Sequence, residues 1–159
     1  MSSLTYVVGD ATAPPSGAPA IIAHVCNDVG QWGRGFVLAL SRRWTEPEEA
    51  YLRWHRDRAD NDFGLGAVQL VRVEPGLFVA NMVAQKGILP DAGIPPIRYE
   101  AVGSCLQQLA VLAARHSATV HMPRIGCGLA GGTWDRVEPL IVERLSRAGI
   151  RSFVYDLPA

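Results

Sequence analysis

Pro123-Arg124-Ile125-Gly126-Cys127-Gly128-Leu129-Ala130-Gly131-Gly132 is the stretch on which the reading of this chain turns. A short strand-like run, Thr119 to Met122, leads into it. Behind it Thr133 opens a helix whose apolar face is Val137, Leu140, Ile141, Leu145 and Ala148, with Gly149 as the stop signal. A strand, a glycine loop and a helix in that order make a device for anions. Glycines let the backbone approach closely, and a helix start offers free N–H groups at the positive end of its dipole.

The same device occurs earlier in the chain. Pro19 to Val25 is a continuous apolar run, expected to be a buried strand. It runs into His24-Val25-Cys26-Asn27-Asp28-Val29-Gly30-Gln31-Trp32-Gly33-Arg34-Gly35-Phe36, and a short helix from Phe36 to Trp44 opens out of that loop. Both loops follow strands, so both belong on one rim, where ligands of such sheets gather. Two facing loops suit a pyrophosphate, with one phosphate each. The GxxxxGK[ST] signature is absent, and the first βα turn lacks GxGxxG. The residues alone therefore indicate a nucleotide or a phosphorylated sugar.

Outward from the loops, strands and helices alternate. Leu4 to Val8 reads as a first strand ending at Gly9-Asp10, and Ala11 to Ala18 as a loop. Thr45-Glu46-Pro47-Glu48 has the form of a capping box, starting a helix to about Arg58, and Asp60 to Gly66 is a polar turn. Ala67 to Val73 and Leu77 to Ala84 form a hairpin about Glu74-Pro75-Gly76. Gln85 to Pro96 is a long loop, and a helix follows from about Arg98 to Arg115 with Tyr99, Val102, Leu106, Leu109 and Ala113 on one side. Arg151 to Tyr155 is the last strand. The expected fold class is α/β, three layers with a mixed central sheet, in a single domain over residues 1–159.

Composition bounds the chemistry. With 15 basic and 15 acidic residues the net charge is zero, so an anion site must rest on backbone amides rather than on a field of lysines. Lys86 is the sole lysine. Cys26, Cys105 and Cys127 have no CxxC or zinc spacing, which fits a reducing cytoplasm and neither a disulfide scaffold nor a structural metal. No secretory signal and no membrane span is read, and no cofactor or metal is expected. His55, His116 and His121 have no ligand spacing.

Val8-Gly9-Asp10, the Gly30 to Gly35 loop and above all Pro123 to Leu129 resemble the macrodomain family. The nearest branch is that of terminal ADP-ribose protein glycohydrolase and the antitoxin of a DNA-modifying ADP-ribosyltransferase. The resemblance covers nearly the whole chain. It implies binding of ADP-ribose and hydrolysis of its adducts on protein or nucleic acid, the alternatives being a non-catalytic reader and an ADP-ribose 1″-phosphate phosphatase.

The resemblance also implies roles. Asp10, otherwise a turn or cap residue, would accept from the adenine amino group. Gly33, Arg34, Gly35 and Phe36 would wrap the diphosphate; Ile125, Gly126, Cys127, Gly128, Leu129 and Ala130 would wrap the other phosphate and the distal ribose. Tyr155, otherwise a core aromatic, would lie against adenine, and Asn27, otherwise an Asx turn, would meet the distal ribose. The branch's nucleophilic lysine falls on Gln85, with Lys86 one residue later, and its partner carboxylate falls on Ala130. Neighbours on an extended segment point to opposite sides, so Lys86 is not assumed to share the face of Gln85. Catalysis would then rest on Asn27 and Gln85 as positioners, with the ligand's own phosphate orienting water. Asp28 is a lesser candidate base. His24 is read as a satisfied core histidine, Cys127 as small-residue packing, and Arg53, Arg56 and Arg58 near Trp54 as a solvated helix face. A monomer is plausible.

Overall fold

The computed structural model describes residues 4–159. Its strands are β1 (Leu4–Val8), β2 (Ala20–Asn27), β3 (Val68–Glu74), β4 (Leu77–Gln85), β5 (Thr119–Met122) and β6 (Ser152–Asp156). The helices are α1 (Phe36–Ser41), α2 (Glu46–Arg56), α3 (Tyr99–His116) and α4 (Trp134–Ile141); α4 runs on through a wider turn at Val142–Ser146. The strands form one sheet in the order β1-β6-β5-β2-β4-β3. All neighbours are parallel except β3, which pairs antiparallel with β4 across the expected hairpin.

Alternation along the strands separates two cores. Ile21, Ala23, Met82 and Met122 point to the side covered by α3 and α4, where Val102, Leu106, Leu109, Val137 and Ile141 close the layer. Ile22, Cys26, Val79 and Val83 point to the other side, against Val37, Leu40, Tyr51 and Trp54 of α1 and α2. Both faces of β2 are thus covered, which is why it reads as an unbroken apolar run. A polar chain crosses the second core: His24 Nε2 donates to Asn81 Oδ1 (2.6 Å), Asn81 Nδ2 to Gln69 Oε1 (3.0 Å) and to the Pro47 carbonyl (3.2 Å). Gln69 Nε2 then reaches the Ala50 carbonyl (3.0 Å), tying the sheet to α2.

Three expectations need correction. The helix after the first loop stops at Ser41 rather than Trp44, and α2 stops at Arg56 before a 3-10 turn at Arg58–Asp60. The capping box is not formed. Thr45 already has helical φ and ψ, and its side chain makes no cap bond. Glu48 instead accepts from Ser41 Oγ (3.2 Å), so the carboxylate serves the first loop. Thr133 stands before α4 without a side-chain cap bond, its own N–H donating to the Tyr99 hydroxyl (3.1 Å). No helix among the described residues is long and apolar enough to cross a membrane.

Candidate functional site

β2 ends in a register break. Cys26 lies opposite Val83 but Asn27 lies opposite Gln85, and the chain turns away. Asn27 builds the loop that follows. Its Oδ1 accepts from the amides of Val29 (3.0 Å) and Gln31 (3.1 Å), and its Nδ2 donates to the Gln31 carbonyl (2.8 Å). The buried Tyr51 hydroxyl, from α2, donates to the Asn27 oxygens (2.7 and 2.8 Å) and accepts from Gly30 N–H (3.1 Å). Burial pushes the Tyr51 phenol up, so it stays a donor. Trp32 anchors the far side through Ser41 Oγ (2.8 Å). Gly35, at φ 80° and ψ −145°, occupies backbone space open to glycine alone.

The second loop closes on itself. Gly126 has φ +72°, and a Cβ there would sit 2.6 Å from Ile97 Cδ1. Gly132 N–H donates back to the Gly126 carbonyl (2.8 Å), and the Ala130 carbonyl accepts from Ile97 N–H (3.0 Å). Arg124 pins the loop's start: its guanidinium makes two bonds to Asp156 (2.7 and 2.9 Å) and lies over the rings of Tyr6 and Trp134.

Between the loops lie two adjoining cavities of about 270 and 230 Å³. Val25, Arg34, Gln85 and Leu129 line both, and the first also takes in Asn27, Gln31, Trp32 and Ile88 to Pro90. The second is floored by His24 and walled by Phe36 and Pro123. Among the described residues, the amides of Gly33, Arg34 and Gly35, and of Ile125, Gly126, Gly128, Leu129 and Ala130, donate to no protein acceptor. Every one of these residues lines one cavity or the other. Arg34 and Arg124 are the charged side chains of the lining, and no carboxylate is among it. Such a cleft receives an anion through backbone donors.

The cleft holds no group poised for acid–base work near neutrality. Burial depresses His24 to about 4, and Asn81 accepts its one ring proton. Burial raises Cys26 well above the usual thiol range. Among the described residues no cluster of His, Cys, Asp or Glu could hold a metal.

Of the residues singled out from sequence, Asn27, Gly33, Arg34, Gly35, Phe36, Gln85, Ile125, Gly126, Gly128, Leu129 and Ala130 line the cleft. Gln85 Nε2 donates to the Gly87 carbonyl (3.1 Å). Lys86 lines a separate depression. Cys127 packs against the core below the loop. Asp10 and Tyr155 line neither cavity. Asp10 accepts from Thr12 N–H (2.8 Å) and Thr12 Oγ1 (2.7 Å), with Arg43 at 3.4 Å, and these hold its carboxyl below the usual range. Tyr155 is buried, its hydroxyl 2.8 Å from His121 Nδ1. Sequence reading gave no role to Tyr51 or Trp32, and it took the Ile88 to Pro90 wall only as part of the long Gln85 to Pro96 loop. Tyr51 gave no signal, standing 24 residues from its partner; Trp32, inside the glycine loop, gave a weak one.

No family model matches the chain. A macrodomain protein from Streptomyces coelicolor is 60% identical over 97% of this chain and 99% of that one, with a TM-score of 0.86. The macrodomain of Mycobacterium tuberculosis DarG shares the fold at 22% identity, over 100% of both chains, with a TM-score of 0.79. The mouse chromodomain-helicase-DNA-binding protein 1-like is 32% identical over 99% of this chain, which spans 18% of that protein's length. An ADP-ribose 1″-phosphate phosphatase from Meyerozyma guilliermondii is 26% identical, covering 89% of this chain and 93% of that one. The human ADP-ribose glycohydrolase OARD1 is 25% identical over 98% of this chain and 93% of its own.

Proposed function

The chain belongs to the macrodomain family, and from that premise we propose that it binds ADP-ribose along the cleft and hydrolyses ADP-ribosyl adducts of macromolecules. The observation that carries this reading is the set of unpaired amides on both glycine loops, all from residues lining cavities whose lining holds no carboxylate. The diphosphate would lie between the loops, the distal ribose beside Asn27 and Gln85, and the adenosine beyond Phe36 and Pro123 towards Asp10. The names of the fungal and human relatives, a phosphatase and a glycohydrolase of ADP-ribose compounds, support a hydrolase.

Neither Lys86 nor a carboxylate lines the cleft, so no covalent lysine intermediate enters the scheme. A water held by the ligand's phosphate would add its oxygen to the anomeric carbon. The bond to the leaving group breaks, and the water's proton passes to that group. Loop amides stabilise the developing charge, while Asn27 and Gln85 hold the ribose. The same lack of an acid or base favours the second reading, a non-catalytic reader.

Release assays decide between them. Purified protein would be incubated with mono-ADP-ribosylated protein, ADP-ribosylated DNA and ADP-ribose 1″-phosphate. Release of ADP-ribose that falls at least about tenfold in Gln85→Ala supports the hydrolase. Phosphate release from the third substrate alone would mark a phosphatase. Release no faster than in buffer for all three leaves the reader.

A further inference from the structure

Behind the wall of the first cavity lies an open depression of about 270 Å³, lined in part by Lys86, Arg98, Val29, Leu89 and Ile94. Leu89 lines both spaces, so the depression adjoins the cleft at that residue. With the distal ribose beside Asn27 and Gln85, as read above, a group joined to it would leave the cleft beside Leu89.

Its chemistry is specific. Arg98 Nη1 donates to the carbonyls of Pro95, Pro96 and Ile97 (2.7, 3.1 and 2.9 Å), which fixes the guanidinium without neutralising it. Among the described residues neither Arg98 nor Lys86 forms an ion pair. Two cations outside any ion pair therefore share this lining with Val29, Leu89 and Ile94, which are 44, 68 and 58% exposed. Apolar side chains so exposed around a mouth mark a contact surface. Asp28 and Asp91 stand in the same lining, Asp28 accepting from Gly87 N–H (2.8 Å).

We propose that this depression docks the polypeptide that carries the ADP-ribose, with an acidic side chain on Lys86 and Arg98 and an apolar one on Leu89 and Ile94. A nucleic-acid strand fits poorly. Its phosphates repeat every few ångströms and need a track of cations, whereas here two cations share one small depression with Asp28 and Asp91 and the chain carries no net charge. A peptide matches the alternation of charge and apolar surface. The inference rests on the ADP-ribose reading above, since it needs the ligand's distal end at Leu89.

The test is a set of titrations. The probes are free ADP-ribose, two peptides bearing ADP-ribose through a non-hydrolysable link and flanked by Glu-Leu or by Lys-Leu, and an oligonucleotide bearing the same group. The Glu-Leu peptide should bind about tenfold more tightly than free ADP-ribose. Lys86→Ala should remove about fivefold of that gain, and Ile94→Ser a similar share, while free ADP-ribose binds each variant as it binds the wild type. Equal affinity for the two peptides, or no gain over free ADP-ribose, overturns the docking surface and leaves the cleft intact. A larger gain for the oligonucleotide also overturns it. If free ADP-ribose fails to bind, the cleft reading falls and takes the docking surface with it.

Discussion

Tyr51 never reaches the cleft, yet its hydroxyl holds both Asn27 and the Gly30 amide in place. Tyr51→Phe strands a carbonyl and an N–H in a buried setting, a loss of about 1–3 kcal/mol. Thermal melts should show it, together with weaker ADP-ribose binding. Asn27→Ala should do both more severely, because it frees the Val29 and Gln31 amides. Gln85→Ala, which gives up a single bond to the Gly87 carbonyl, should lower the melt less than Asn27→Ala does and should lower turnover. The Asx-turn reading of Asn27 was legible in the sequence, and the structure shows the turn. Tyr51 was not legible, because a hydrogen bond between a helix and a distant strand end leaves no local pattern.

Two buried histidines set the pH behaviour. Burial depresses His24 and His121 to about 4 from an ordinary 6.5. The unfolded chain therefore takes up protons first as the pH falls. This contribution is complete above about 6.5 and is lost between 6.5 and 4, at about 1.4 kcal/mol per pKa unit for each ring. Asp10 and Asp156, held below their ordinary values, act only at lower pH. Melting temperature should fall steeply from pH 7 to 4.5; a flat profile there would contradict the burial of these rings.

Among the elements, the second loop is the most tightly specified. A Cβ on Gly132 would lie 2.5 Å from the Gly126 carbonyl oxygen, and that oxygen cannot move without breaking the loop's closing bond. Gly132→Ala should therefore destabilise the fold by roughly 1–3 kcal/mol, read as a lower denaturant midpoint, and should weaken ADP-ribose binding more than its distance from the cleft would indicate. Gly128→Ala, with open space around its Cβ position, should cost far less. Strands and their order of alternation were legible because apolar runs and glycine stops are local signals. Helix starts were less so. The sequence at Thr45 fits a capping box, but Glu48 is drawn to Ser41, which itself accepts from Trp32, a competition that only the packed loop reveals.

At the scale of the whole molecule, a neutral protein presents a cleft whose free donors are largely backbone amides. The net charge is zero, and the charged lining of the cleft is Arg34 and Arg124. With His24 depressed to about 4 and Cys26 raised, turnover should stay level between pH 6 and 8; a bell-shaped profile would point to an acid–base pair this cleft does not hold. The sequence carried the two loops and their common rim, but not the bar of Arg34 and Leu129 shared by the two cavities, because that arises only when the sheet brings the loops together. The most direct measurement is a calorimetric titration comparing ADP-ribose with AMP and with ribose 5-phosphate. Micromolar binding of ADP-ribose, at least about a hundredfold tighter than either fragment, is the expected result for a ligand spanning both cavities. No binding, or AMP binding as tightly as ADP-ribose, would contradict it.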